Sequence, residues 1–113
     1  MWSIIESEKI QFSPYPKGAA NIKRIFEQKT VGSKRFTGFG LLEIPPKGIF
    51  PPHTHLDREE VYYVLSGSGA ITIEDKEIPA VKGLTVYVSG EDLHGIKNQT
   101  DKPLTVLFVH AQI

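Results

Sequence analysis

Three histidines and one glutamate have the types and spacing of a metal site. His53 and His55 are one residue apart, so in an extended segment both imidazoles leave the same face, roughly 6.6 Å apart. Glu60 follows five residues later, and His94 comes directly after the turn predicted at residues 89–93. Three imidazole nitrogens and one carboxylate oxygen suit a first-row divalent metal ion. Such a set leaves coordination positions open for water or substrate, as metal-ion catalysis requires.

The segments that must position these residues read as short strands. From about residue 21 onward, apolar residues alternate with polar ones or form short runs that end at Gly, Pro, Asn or Asp. No segment reads as a long amphipathic helix. Strands are predicted at residues 22–28, 37–44, 60–66, 70–74, 84–88, 94–98 and 104–111. This spacing predicts an all-β protein, either a sandwich, a jelly roll or a small barrel.

Size and composition narrow the function classes. The 113 residues predict one domain over residues 1–113, with residues 1–20 as an N-terminal arm or edge strand. A formal net charge of zero argues against nucleic acid or membrane as a partner, and favours a small neutral ligand or modest organic acid. The absence of cysteine excludes disulfides and Cys-ligated zinc. With no signal-like start and no spanning apolar run, the cytoplasm is the expected compartment.

Two stretches around these residues resemble the two sequence motifs of the cupin superfamily. Residues 48–60 read GIFPPHTHLDREE and are closed by Gly67, as in the first motif, and residues 83–98 read GLTVYVSGEDLHGIKN, as in the second. The resemblance assigns Asn98 to the trailing Asn of the second motif. It assigns the four metal-ligand positions to His53, His55, Glu60 and His94.

What the resemblance implies is a single-domain, cupin-type jelly-roll β-barrel that holds one divalent metal ion. Iron or manganese is favoured, with nickel, copper and zinc as alternatives. Cupins are usually dimers, and the apolar residues Trp2, Ile4 and Ile5 of the arm could cover an exposed sheet edge. We therefore predict a homodimer, with an arm folded on its own barrel as the alternative.

The resemblance covers several functions, because a shared fold does not carry a shared chemistry. We favour a metal-dependent enzyme of oxygenase type, dioxygenase-like, that acts on a small organic molecule inside the barrel. One alternative is a metal-dependent isomerase, decarboxylase or lyase. The other is a non-enzymatic barrel that binds or senses a sugar or other small molecule.

Two adjacent carboxylates compete for the ligand position, because neighbouring residues of a strand point to opposite faces. Alternation does not decide between Glu59 and Glu60, since the residues that share a face with each are apolar. In the cupin pattern the ligand stands seven residues before the closing Gly67, and counting back gives Glu60. Glu59 is then expected at the solvent or in a surface ion pair.

Other residues near the site have expected roles that follow from parity. Tyr62 and Val64 share a face with Glu60, so they are expected to line the cavity, as is Phe50 beside the histidine pair. No motif includes His110, and we predict that it packs structurally. Arg24 could bind a substrate carboxylate, but neither face of its strand is cleanly apolar, and we expect it at the solvent.

Overall fold

A computed structural model describes residues 1–113 as a predominantly β protein. A single 3-10 turn (Ser7–Lys9) precedes the first strand, and one short helix α1 (Gln28–Val31) interrupts the succession of strands. No helix is long and apolar enough to cross a membrane. The ten strands are β1 (Ser13–Pro14), β2 (Asn21–Glu27), β3 (Phe36–Ile44), β4 (Ile49–His53), β5 (Arg58–Ser66), β6 (Gly69–Ile73), β7 (Lys76–Ala80), β8 (Thr85–Val88), β9 (His94–Lys97) and β10 (Leu104–Gln112).

The strands form two antiparallel sheets in the arrangement of a jelly roll. One sheet has the order β1-β2-β3-β10-β5-β8 and the other has the order β4-β9-β6-β7. Apolar side chains from both sheets build one core between them, because alternate residues of each strand point inward. Its members are Ala20, Ile22, Leu42, Ile44, Phe50, Tyr62, Val64, Ile71, Ala80, Ile96, Leu104, Val106 and Phe108.

All seven strands expected from the sequence are present, and their ends lie within two residues of the predicted bounds. Three strands are missing from the prediction, namely β1, β4 and β7. Each of these lies at the edge of a sheet and each contains proline. Proline donates no backbone hydrogen bond, so strands tolerate it at edges and bulges, and such segments read as turns in the sequence. The interruption of pairing between Phe50 and His53 is an example.

The alternation of strand β5 decides which side chains enter the molecule. Glu60, Tyr62 and Val64 are buried on its inner face, whereas Tyr63 is exposed on the outer face. Strand β10 runs antiparallel beside it and places His110 directly opposite Glu60. The inner faces of these two strands therefore carry the polar residues next to the core.

The N-terminal arm packs in part against its own sheet. Strand β1 pairs with β2, and the Lys23 ammonium donates a hydrogen bond of 2.9 Å to the Ser7 carbonyl and lies 4.9 Å from the centre of the Phe12 ring. Lys23 is consequently buried, which explains why neither face of β2 is cleanly apolar. Trp2 and Ile4 remain exposed.

Candidate metal centre

The four predicted ligand residues come from both sheets and meet between them. His53 is the last residue of β4 and His94 the first of β9, and the pairing of these strands places the two residues opposite each other. His55 lies in the connection to β5, where its backbone N–H bonds the Gly90 carbonyl. Glu60 extends from the inner face of β5, which belongs to the other sheet.

The distances within this cluster are those of groups that share one centre. Nε2 of His55 lies 3.1 Å from Nε2 of His94. The Glu60 Oε1 atom is 3.1 Å from the first nitrogen and 3.4 Å from the second. One ligand atom from each of these residues and His53 lies within 4.8 Å of every other.

Backbone carbonyls fix the orientation and the tautomer of each imidazole. Nδ1 of His53 is 2.8 Å from the Pro51 carbonyl, and Nδ1 of His94 is 2.7 Å from the Asp92 carbonyl. Nδ1 of His55 is 3.2 Å from the carbonyl of Arg58. A carbonyl oxygen only accepts, so each Nδ1 carries a hydrogen and donates it. The Nε2 atoms are thereby left to present lone pairs to the centre, which is how proteins prepare histidines for metal binding.

The electrostatics of the cluster are strongly coupled. Burial favours a neutral Glu60, but hydrogen bonds with His55 and His94, in which a proton on Nε2 takes the place of the cation, outweigh burial and lower the pKa of Glu60 to about 2. The same hydrogen bond to Glu60 raises the pKa of His55 above its ordinary value. Burial lowers the pKa of His53. The cluster thus contains one ionised carboxylate next to imidazoles that compete for a proton.

These contacts fit a divalent cation. Two Nε2 lone pairs at 3.1 Å repel each other unless a proton or a cation lies between them. One proton can bridge a single pair, whereas a metal ion can bind three imidazoles and a carboxylate at once. His53, His55, Glu60 and His94 could therefore hold one such ion.

The two adjacent glutamates point to opposite faces. Glu60 enters the cluster, whereas Glu59 accepts a hydrogen bond of 3.0 Å from the hydroxyl of Tyr87 on the outer surface. Of the two environments expected for Glu59, the solvent-facing one is observed, and no ion pair forms.

A cavity of about 470 Å³ opens beside the cluster, and His53, His55 and Glu60 line it. Phe50 also lines the cavity, and the edge of its ring contacts His53 with centroids 4.9 Å apart. The expectation for Tyr62 and Val64 needs correction, because they are not among the lining residues. Both are fully buried in the core, since β5 runs below the cavity after Glu60.

Tyr62 nevertheless carries a polar atom close to the cluster. Its ring centre is 6.0 Å from that of His94, and its hydroxyl is buried without a well-aligned hydrogen-bond partner. Burial and the adjacent Glu60 carboxylate raise the pKa of Tyr62 well above its ordinary value. The hydroxyl is therefore a neutral group that can donate.

His110 packs as predicted and also lines the cavity. Its ring stacks on Phe108 with centroids 5.4 Å apart, and its Nδ1 lies 2.5 Å from the Thr37 hydroxyl. Burial lowers the pKa of His110. The sequence contains a signal for this inward position, because His110 has the same parity as the buried Leu104, Val106 and Phe108.

The cavity is also lined by charged residues that no sequence motif predicted as part of the site. Arg24 is exposed, as predicted, but it stands at the cavity together with Lys17 and Arg58. These residues belong to three separate segments, so no local pattern connects them.

Comparison with known proteins assigns the chain to a family. A family model described as "Cupin domain" matches residues 40–110. A relative from Methanocaldococcus jannaschii, an uncharacterized protein, is 28% identical over 92% of this chain and 83% of its own length. An oxalate-binding protein of Thermotoga maritima is 25% identical over 95% of this chain and 88% of its own length.

The fold is also found among solved structures. The crystal structure of a predicted oxalate decarboxylase from Thermotoga maritima superposes with a TM-score of 0.87 at 21% identity, covering 98% of this chain and 100% of the other. At this identity the likeness concerns the fold. A jelly roll with three histidines and one glutamate between its sheets is characteristic of metal-binding cupins. The chain belongs to the cupin family.

Proposed function

We propose that this cupin is a metal-dependent enzyme that binds a small organic molecule in the cavity beside His53, His55, Glu60 and His94. The observation that carries the proposal is the fixed set of Nδ1–H to carbonyl hydrogen bonds, which aim three nitrogen lone pairs at one point. The adjacent cavity gives a ligand access to that point.

The residues at this site have different roles. The imidazoles hold the ion without adding charge, and Glu60 supplies one negative charge against a dication. A bound metal would act as a Lewis acid for a substrate oxygen or, if redox-active, support chemistry with dioxygen. Phe50 packs against His53 at the cavity, while Tyr62 places a buried, neutral hydroxyl next to the Glu60 carboxylate.

Iron or manganese is the favoured metal, and an oxygenase-type reaction is the favoured chemistry. Neutral imidazoles suit several first-row ions, so nickel, copper and zinc are the competing occupants. A reaction with dioxygen needs an open coordination position beside a redox-active ion, and the cavity provides access for one. An isomerase, decarboxylase or lyase would use the same residues with a metal that need not change oxidation state.

The experiment that separates these chemistries uses metal-free protein reloaded with iron(II), manganese(II) or zinc(II). Each form is mixed with a panel of small organic acids and sugars, and oxygen uptake and product formation are followed. Metal-dependent product formation supports the enzyme, and uptake with iron or manganese but not zinc supports the oxygenase. Products formed without oxygen uptake would favour the isomerase, decarboxylase or lyase.

A non-enzymatic binding protein is the second candidate, because a relative over 95% of this chain carries the name oxalate-binding protein. In that case the loaded protein would bind a member of the panel and return it unchanged. Calorimetric titration with recovery of the intact ligand distinguishes this function from catalysis.

We further propose that the chain forms a homodimer. Met1, Trp2 and Ile4 are exposed at the end of an arm whose later part already covers an edge of its own sheet. Exposed apolar residues in this number are costly unless a partner covers them. Light scattering at tens of micromolar should give twice the 12.6 kDa of one chain, whereas a monomer mass would contradict the proposal.

A further inference from the structure

Three cationic side chains line the cavity, and none of them has a partner within the protein. We name Lys17, Arg24 and Arg58 the cationic wall. None of them takes part in an ion pair. None donates a side-chain hydrogen bond either. Cations on an ordinary surface are satisfied by water, so this wall is informative only if part of it is withdrawn from water.

Arg58 meets that condition. Its Nε atom is buried and has no acceptor. A buried donor without a partner costs about 1–3 kcal/mol, and more when the group is charged. Arg58 precedes Glu60 by two residues in the same strand, so both side chains emerge on the face that looks into the cavity. The guanidinium thus needs an acceptor at a place that a ligand of the metal site can reach.

The remaining charges do not neutralise the wall. Only two carboxylates line the cavity, and Glu60 is committed to His55 and His94. The other, Glu27, forms no ion pair with any of the three cations. A divalent ion in the cluster would add two positive charges and make the cavity still more favourable for an anion.

A glycine on strand β3 makes room for the His110 ring at the cavity. Gly38 of β3 lines the cavity between the strands that carry Glu27 and His110. A β-carbon at Gly38 would lie 2.6 Å from the His110 ring, so any larger residue would displace this ring. The cationic wall lines the same cavity as His53, His55 and Glu60 of the metal cluster.

We propose that the cavity selects an organic anion with two polar ends, one that binds at the metal cluster and a carboxylate or phosphate that binds Arg58, with Arg24 as a further cation lining the same cavity. This inference rests on the proposed function and names its substrate class. Arg binds both oxyanions through two parallel N–H donors. The spacing of Arg58 and Glu60 along the strand is roughly 6.6 Å. A two-carbon diacid that places both carboxylates on the metal would leave Arg58 without an acceptor.

The test compares matched pairs of hydroxy acids that share the metal-binding end. Lactate and malate differ by a terminal carboxylate, and glycerate and 3-phosphoglycerate differ by a terminal phosphate. Calorimetric titration uses the full chain loaded with manganese, as wild type, Arg58→Gln, Arg24→Gln and the control Arg35→Gln. Arg35 is exposed and does not line the cavity. Metal content is measured for every protein before titration.

For wild type we expect malate, 3-phosphoglycerate or both to bind at least about ten-fold tighter than the partner that lacks the second anion. Arg58→Gln should abolish this preference, Arg24→Gln should reduce it, and Arg35→Gln should leave it intact. A preference for malate over lactate identifies the second end as a carboxylate, and a preference for 3-phosphoglycerate over glycerate identifies it as a phosphate.

Two results would overturn the inference. Equal affinities within both pairs, or a preference that survives in Arg58→Gln, would show that the wall does not select the ligand. Loss of metal from wild type would instead refute the proposed function itself. A folding defect in Arg58→Gln would show as lost metal. In that case Arg58→Lys is used instead, because it keeps the charge but loses the paired donors. This variant should retain only part of the preference.

Discussion

The metal cluster and the cationic wall lie in the same cavity but satisfy their polar groups in opposite ways. Each imidazole of the cluster is oriented by a carbonyl of the chain itself, at Pro51, Arg58 or Asp92. The wall presents charged side chains that no protein group neutralises. The cluster is therefore preorganised in the absence of a ligand, whereas the cationic wall gains a partner only when an anionic ligand binds. This difference predicts that metal binding and ligand selection can be changed separately.

The largest effect is expected from removing the only charge of the cluster. Glu60→Gln should weaken metal binding by more than about a hundred-fold, because three neutral imidazoles would remain to hold a dication. Glu59→Gln should leave metal affinity close to wild type, since its partner is Tyr87 on the outer surface. Metal titration of both variants measures this. Equal losses would mean that the inner and outer faces of β5 are exchanged.

Acidification should also weaken metal binding, because the metal must displace the protons of its ligands. The hydrogen bond to Glu60 raises the pKa of His55 above its ordinary value of 6.5, so the proton on His55 competes with the metal ion even at a pH above 6.5. Burial lowers the pKa of His53, which competes only at lower pH. We expect affinity to fall about ten-fold per pH unit as pH drops through the raised pKa of His55. Affinity that is constant from pH 8 to pH 6 would argue against these histidines as ligands.

A substitution in the cavity lining outside the metal cluster should weaken ligand binding without changing metal affinity. Gly38→Ala places a β-carbon 2.6 Å from the His110 ring, and overpacking of this kind costs about 1–3 kcal/mol. We expect several-fold weaker malate binding with metal affinity within two-fold of wild type. The double variant Gly38→Ala/His110→Ala should recover part of the stability in urea unfolding. A strong loss of metal in Gly38→Ala would show that cluster and wall are not independent.

The smallest effect is expected from removing the Tyr62 hydroxyl, which lies close to the metal cluster. Tyr62→Phe removes a buried polar atom that has no well-aligned partner, and such a replacement is close to neutral for stability. We expect the free energy of unfolding of the metal-free protein to change by less than about 1 kcal/mol. A large loss of stability would reveal a hydrogen bond to Glu60.

The cluster could be predicted from the sequence because its signals are local. His53 and His55 are joined by strand periodicity, and the closing Gly67 selects Glu60 over its neighbour. Asn98 also follows the motif, and its role is structural: it is buried and its amide donates to the carbonyls of Ile44 and Lys102. These residues keep fixed offsets along the chain, so one sequence suffices to recognise them.

The wall could not be predicted, because its members come from distant segments. Lys17 precedes β2, Arg24 lies within β2 and Arg58 begins β5, and β3 and β10 separate the last two strands in the sheet. Only the strand order places them at one cavity. The proline-containing edge strands were missed for a related reason, since a strand at an edge needs fewer backbone donors and its sequence is less constrained.

Metal analysis of protein purified without a chelating tag is the decisive test of whether His53, His55, Glu60 and His94 bind one divalent ion. Protein as purified, or reconstituted with iron, manganese, nickel, copper or zinc, is predicted to hold about one ion per chain. Anomalous diffraction should place that ion among the three Nε2 atoms and the Glu60 carboxylate. Less than about a tenth of an ion per chain after reconstitution with all five metals, or an ion bound elsewhere, would contradict the account.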